Sequence, residues 1–415
     1  MEMKILAIES SCDETAAAVV EDGVRILSNV VVSQVDIFAA YGGVIPEVAA
    51  RSHLEAILPV VHRALEDAQL TKDDTDCIAV THTPGLLGSL LIGTLTARML
   101  AILWQKPLYA VHHLKSHIYA NWLNSGEDGD RSPRFSKPAS SSPVVTGTSR
   151  FDRSPLVAES FGEVRCPVPS SPEFPLLALV VSGGHTQIIY MPAHDQFEII
   201  GTTRDDAVGE CFDKVAKILG LPYPGGPSIA KCARNGDSKC YKLPHPQVEG
   251  LDFSFSGLKT AVLRAVQKEC GLPITTPSYE LRNHLSEQQR ADFAASFQDT
   301  ACDILIEQLK KALEAHPEAK SLVFAGGVSA NQVLREKATS AFLRASEGKL
   351  TKNEPAESLR IQPSESLKRA VYFPEAKFTG DNAAMVGAAA YFEIMAGVRS
   401  TDPYALNIAP RTAIG

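Results

Sequence analysis

Twice along this chain, three short apolar segments separated by turn residues give way to helical periodicity, and that repeat limits the fold more than any other feature. In the first half, Ile5 to Ile8 and Thr15 to Val20 read as strands, and Asp22-Gly23 turns the second into a third at Arg25 to Val32. A helix is expected from Pro46 to Gln69, with the proline at a first-turn position where its missing N–H costs nothing. A buried strand at Cys77 to Thr81, a helix over Leu86 to Gln105, a strand at Leu108 to His112 and a helix from His113 to Leu123 follow. The order then begins again, with strands at Leu176 to Val181, Gln187 to Tyr190 and Phe197 to Thr203. Helices are expected at Ala207 to Leu219, Leu258 to Gln267 and Glu287 to Ala315, then a strand at Ser321 to Phe324, a glycine turn and another helix. The order β-β-β-α-β-α-β-α is that of an RNase H-like domain. An α/β chain of two such lobes is therefore expected, and the cleft between them is the default ligand site.

The lobes are expected to comprise residues 1–123 with 381–415, and 173–380, because a last helix from Asp381 to Met395 should return to the first lobe. Residues 124–172, rich in Ser, Pro, Gly and Arg, and the polar stretch 346–366 read as insertions that bury too little apolar surface to order themselves. Arg131, Arg134, Lys137, Arg150 and Arg153 in the first insertion suit either a solvated loop or a contact with RNA.

At 415 residues the chain can support two sizeable cores, and its net charge of −8 argues against a dominant basic face. A nucleic-acid substrate would then be bound with help from partners. The eight cysteines form no C-x-x-C pair and read as reduced thiols. The N-terminus carries no leader pattern, and no stretch approaches the roughly 20 apolar residues of a membrane span, so a soluble, cytoplasmic protein is expected.

Five segments carry chemistry. His113-Leu-Lys-Ser-His117 sets two imidazoles at i and i+4 on one helix face, near enough to share a metal ion. A zincin-type peptidase would need Glu after the first histidine, and Leu114 stands there. Val181-Ser182-Gly183-Gly184-His185-Thr186 is a glycine turn between strands, either a tight hairpin or a cradle whose N–H groups reach a phosphate. Phe324-Ala-Gly-Gly-Val-Ser-Ala-Asn331 is a second such turn, with Asn331 available to a ribose or base. Glu9-Ser-Ser-Cys-Asp13-Glu14-Thr15 puts carboxylates at a strand tip, where they would be solvated, bind a cation or accept a proton. Asp381, in Gly380-Asp-Asn-Ala-Ala-Met385, is either a helix N-cap or a third, oxygen ligand beside the histidines.

Together these segments resemble the TsaD/Kae/Qri family of tRNA threonylcarbamoyltransferase subunits. The resemblance rests on Glu9 to Thr15, His113-x-x-x-His117, Val181 to Gln187, Asp205-Asp-Ala-Val-Gly-Glu-Cys-Phe-Asp213-Lys and Leu221-Pro-Tyr-Pro-Gly-Gly226-Pro. It continues through Phe253-Ser-Phe-Ser-Gly-Leu-Lys-Thr-Ala261, Gly326 to Asn331 and Asp381 to Met385, in family order over nearly the whole chain. It implies an ASKHA (actin, sugar kinase, Hsp70) fold and a metal-dependent, acyltransferase-type reaction. In that reaction the threonylcarbamoyl group of threonylcarbamoyl-AMP passes to N6 of adenosine 37 in tRNAs reading ANN codons. By the same resemblance His113, His117 and Asp381 would hold one divalent metal, Fe(II) in preference to Zn(II). Val180, Val181, Ser182, Gly183, Gly184, Asp213, Gly226 and Asn331 would bind the adenylate, and Asp13 or Glu14 would take the N6 proton. A TsaB-like paralogue and a TsaE-like ATPase are the expected partners. The alternative is an ASKHA-type ATPase that regulates partner binding without a transferase step. The chain departs from the family pattern at Lys115-Ser116, where Glu-Gly is common, at Thr83-Pro84-Gly85 for Gly-Pro-Gly, and at Phe378-Thr-Gly for Cys-Thr-Asp.

Overall fold

The computed structural model describes residues 2–124, 171–246, 248–343 and 368–411. Both expected insertions, with the five basic residues of the first, fall almost wholly outside the described residues. The first half runs β1 (Lys4–Glu9), β2 (Glu14–Glu21), β3 (Arg25–Ser33), α1 (Val35–Ala39), α2 (Pro46–Asp67), β4 (Cys77–Thr83), α3 (Leu87–Trp104), β5 (Leu108–His112) and α4 (His113–Tyr119). The second runs β6 (Leu176–Val181), β7 (Thr186–Met191), β8 (Glu198–Thr202), α5 (Val208–Leu219), α6 (Gly225–Ala233), α7 (Ser256–Glu269), α8 (Ser278–Leu281) and α9 (Glu287–Ala315). It closes with β9 (Ser321–Ala325), α10 (Gln332–Phe342), β10 (Ala370–Tyr372) and α11 (Ala383–Met395).

Each half builds a five-stranded mixed sheet, and the two have one topology: β3-β2-β1-β4-β5 and β8-β7-β6-β9-β10. In both, the first strand pairs antiparallel with the second and parallel with the fourth (β1 with β2 and β4, β6 with β7 and β9). The central strands are buried on both faces, which explains their unbroken apolar sequences. Alternate residues of β1 serve different cores, as the period of two requires. Leu6 and Ile8 pack with Ile57, Val60 and Val61 of α2 and with Ala97 and Leu100 of α3. Ile5 and Ala7 join α11, α4 and the Leu176, Ala178 and Val180 face of β6 in a core shared by both halves. Leu177, Leu179 and Val181 face the other way, into the core of α5, α7 and α9.

The expected return of the last helix is observed, since α11 packs on β1, β2 and α4. The approach is close enough that a Cβ at Gly387 would sit 2.8 Å from Val20 Cγ2.

Three expectations need correction. The helix beginning at His113 keeps α geometry only to Tyr119 and then tightens into a 3-10 turn at Ala120–Trp122. That turn lets Asn121 Nδ2 donate to the Phe324 carbonyl of β9, 3.1 Å away. Asp381 does not cap α11; the cap is Asn382, whose side chain accepts from Met385 N–H at 3.1 Å. Finally, α3 does reach membrane-spanning length and apolarity, with 18 residues at mean hydropathy 1.6. Its buried side, Leu90, Gly93, Thr94, Ala97 and Leu100, packs on the sheet and on α2.

Candidate metal centre and nucleotide cleft

The carboxyl ends of the parallel strands β1, β4 and β5 meet at one edge of the first sheet, where open α/β sheets place their ligands. Three functional side chains arise there because each strand ends in a polar residue. Glu9 closes β1, Thr81 lies near the end of β4, and His113 opens α4 directly after β5. His112, between β5 and α4, caps the helix by accepting from Leu114 N–H. His113 and His117 are thereby held on one face of α4, with ring centroids 4.6 Å apart.

Docking of α11 brings Asp381 to the same point. Its Oδ1 lies 3.1 Å from His117 Nε2 and 3.5 Å from His113 Nε2. Among the described residues, these three form the one group of His, Cys, Asp or Glu side chains able to share a metal, with their donor atoms within 4.8 Å of one another. The two Asp381–histidine distances are close to the roughly 3–3.4 Å expected between ligands each about 2.1 Å from a common ion. His117 supports the fit independently. It is 1% exposed, yet neither ring nitrogen makes an aligned hydrogen bond among the described residues, an unusual condition for a buried polar group. The donor set of two imidazoles and one carboxylate suits a borderline divalent metal.

The electrostatics of the group are strongly coupled. Burial works to lower the His113 pKa, but the Asp381 and Glu9 carboxylates outweigh it and raise it to about 9. Burial likewise works against ionised Asp381, and the two histidines hold it well below the usual carboxylate range. Glu9 is fully buried and accepts from Ser11 N–H and the Thr81 hydroxyl, both at 2.6 Å, with His113 Nδ1 at 3.2 Å.

From the second half, the turn after β6 faces this group. Ser182 N donates to the His185 carbonyl and Ser182 Oγ accepts from His185 N–H, which fixes the turn. Gly183 and Gly184 lie exposed, with no atom of the described residues within 4 Å of an added Cβ, so their backbone is accessible. Val180 and Val181 are buried in β6. His185 is close enough to the metal-type group that burial, then His113 and His117, depress its pKa to about 4.

Asp13 and Glu14 are half-buried at the β1–β2 turn. Burial, Asp381 and Asp13 push the Glu14 carboxyl up to about 10. His53, fully buried on α2, ties this turn down through Thr15 Oγ1 at 2.8 Å and the Cys12 carbonyl at 3.0 Å.

Across the cleft, Asp213 on α5 accepts from Gly225 N–H at 2.6 Å. Burial raises its pKa, and the Asp13 and Glu210 charges add to the rise. Gly226 has open space at its Cα. Tyr223, just before, feels burial first and then Asp13 and Asp213, so these groups of both halves share one cleft. Asn331 sits at the start of α10, but its side chain is already engaged: Oδ1 accepts from Leu334 N–H and Nδ2 donates to Gln298. Lys115, the departure between the histidines, bridges the halves. Its Nζ lies 3.0 Å from Asp195, 3.5 Å from Glu393 and 4.5 Å from the centre of the Phe197 ring.

The structure therefore brings His113, His117 and Asp381 together, and gathers Asp13, Glu14, Asp213 and the Gly183-Gly184 turn around them. Glu9, His185 and Tyr223 join the site as well; each lies inside a motif that carries the family resemblance, but none is among the residues that resemblance assigns to metal or substrate.

Two similar lobes with a metal-type donor set at the strand ends between them define an α/β protein of the ASKHA, actin/Hsp70-like class. The family model for tRNA N6-adenosine threonylcarbamoyltransferase matches residues 25–139 and 163–388, and the chain belongs to that family. A protein of that name from Symbiobacterium thermophilum is 44% identical over 412 residues, covering 99% of this chain and 97% of its own. Another from Moorella thermoacetica is 39% identical over 411 residues, covering 99% and 96%. Among solved structures, component A of the Acidaminococcus fermentans (R)-2-hydroxyglutaryl-CoA dehydratase aligns over 95% of this chain and 99% of its own, with 14% identity and a TM-score of 0.43.

Proposed function

We propose that this chain transfers the threonylcarbamoyl group of threonylcarbamoyl-AMP to N6 of adenosine 37 in tRNAs reading ANN codons, forming t6A. Family membership supports the reaction class, and the observation that carries the chemistry is the His113, His117 and Asp381 group facing the Gly183-Gly184 turn. The first lobe in this reading is residues 1–123 with 381–415, and the second is 173–380.

His113, His117 and Asp381 would hold one divalent metal, Fe(II) in preference to Zn(II). Bound there, the metal supplies positive charge for phosphate or carboxylate oxygens of the mixed anhydride. At the end of the Val180 to Gly184 segment the exposed Gly183 and Gly184 would offer their N–H groups to the phosphate, with Val180, Val181 and Ser182 holding the turn in place. Asp213 and the Gly225-Gly226 turn it holds would line the ribose and adenine. Asn331 would contribute one face of its amide while its other contacts keep α10 in place.

The N6 amine is a poor nucleophile, so holding it against the carbonyl should supply much of the acceleration. As N6 bonds to the carbonyl carbon, the bond to the phosphate oxygen breaks and AMP leaves. Of Asp13 and Glu14, at the cleft mouth, Asp13 would accept the proton that N6 loses, because the raised pKa of Glu14 keeps its carboxyl protonated. The chain's net charge of −8 fits a tRNA held jointly with partners. A TsaB-like paralogue and a TsaE-like ATPase are the partners we expect, in the cytoplasm. Exposed Leu87, Leu91, Leu95 and Met99 along α3, beside Leu54 and Leu58 of α2, offer a paralogue an apolar face.

The test is transfer of labelled threonylcarbamate from the adenylate to an ANN-decoding tRNA transcript, with and without such partners. Transfer lost on chelation supports the reading. No transfer in any combination, with ATP hydrolysis intact, would favour a regulatory ATPase.

A further inference from the structure

We propose that Glu9 is a positioning residue for the metal centre: it fixes the ring and the proton of His113 so that Nε2 presents its lone pair toward Asp381. The inference rests on the metal reading above and extends it to a side chain that touches neither metal nor substrate.

The geometry leaves Glu9 little freedom. It is the last residue of β1 and has no exposed surface. One oxygen, Oε1, accepts from Ser11 N–H at 2.6 Å. The other, Oε2, accepts from the Thr81 hydroxyl at 2.6 Å and lies 3.2 Å from His113 Nδ1. An ionised carboxylate can only accept, so the hydrogen between Glu9 and His113 belongs to Nδ1. Ser11 Oγ, also 3.2 Å from Nδ1, closes the same side of the ring. In the neutral imidazole that metal ligation requires, Nε2 is then the nitrogen without a proton, and it is the one 3.5 Å from Asp381 Oδ1. A metal-ligating histidine commonly gives its second N–H to a carboxylate in this way, and loss of such a partner weakens metal binding about 10–100-fold.

The two histidines differ in this respect, because His117 Nδ1 has no hydrogen-bond partner among the described residues. Orientation of the pair is therefore delegated to His113, and through it to the junction of three strands.

Replacing Glu9 by Gln keeps the volume but reverses the hydrogen-bond logic. The amide has one acceptor, and the fixed Ser11 backbone N–H claims it. The NH2 group then faces His113 Nδ1 and donates to it, which pushes the ring proton onto Nε2. E9Q should bind Zn²⁺ at least about tenfold more weakly than the wild-type chain in competition with a chromophoric chelator. E9D, which keeps an acceptor, should recover part of the loss.

A second measurement needs no variant at Glu9. In ¹⁵N-histidine spectra of the Zn²⁺-loaded wild-type chain, the His113 ring, assigned by its absence in H113Q, should carry its proton on Nδ1. Equal Zn²⁺ affinity in folded E9Q and wild type overturns the proposal, as does a proton on Nε2. Should E9Q fail to fold, the wild-type spectrum decides alone. A wild-type chain that takes up no Zn²⁺ would overturn the metal reading and this inference with it, so the two failures are distinguishable.

Discussion

Asp381 Oδ1 stands 3.1 Å from His117 Nε2, and the two residues meet only because the helix after Asp381 docks beside α4. The capping of that helix belongs to Asn382, so Asp381 can be changed without uncapping it. D381A should lose bound metal and at least about 100-fold in transfer, with α11 still capped by Asn382. H113A should lose the same two properties. Metal analysis, single-turnover transfer and thermal melting of each variant check this, and retained transfer would sink the ligand assignment.

Chelation separates the transferase from the regulatory ATPase. A metal-stripped chain should fail in transfer and bind the adenylate more weakly, with activity restored by Fe(II) or Zn(II). Adenylate bound equally well with and without metal, measured by calorimetry, would contradict the proposed grip on the anhydride.

Gly225 leaves no room for a side chain beside the cleft. A Cβ there would lie 2.4 Å from Asp213 Cα and 2.6 Å from the Phe212 carbonyl, both backbone atoms that cannot turn aside. G225A should cost about 1–3 kcal/mol and move Asp213 away from the cleft. The readouts are denaturant melts and adenylate affinity; an unchanged affinity would remove Asp213 from the binding site.

Glu393 should make the junction of the lobes sensitive to pH. It is 4% exposed, and burial raises its pKa from the ordinary 4.5 to about 7, against the opposing Lys115. The folded state therefore holds the proton more tightly than the unfolded one. Its stabilising contribution is complete below about pH 4.5 and is lost as pH rises through about 7, by at most about 3 kcal/mol. E393Q should flatten the fall in Tm over that range, and a profile parallel to the wild type would show that Glu393 does not titrate there.

Much of this was legible in the residues. The central strands announced themselves because burial on both faces demands unbroken apolar sequence, and α9 kept its expected bounds because Ser286 and Gln289 form a capping box. Short elements escaped. The α6 helix opens on Gly225-Gly226-Pro227, which reads as a loop, and the three residues of β10 carry too little pattern to stand out. The length of α4 was overestimated because apolar residues continue to Leu123, while the backbone tightens after Tyr119 to let Asn121 reach β9.

By itself the sequence determined the local pieces: the repeated strand and helix order, the two imidazoles on one helix face, and the glycine turns that lack side chains. These depend on neighbours a few residues apart, so spacing and residue type suffice. Tertiary structure alone decided which reading of Asp381 holds, that of a partner to the histidines, because that follows from how α11 packs across β1 and β2. It also decided that Glu9 lies beneath His113 and that Lys115 spans the two halves. Those contacts join strand ends and loops far apart in the chain, and only the burial of the shared core between the lobes brings them within reach.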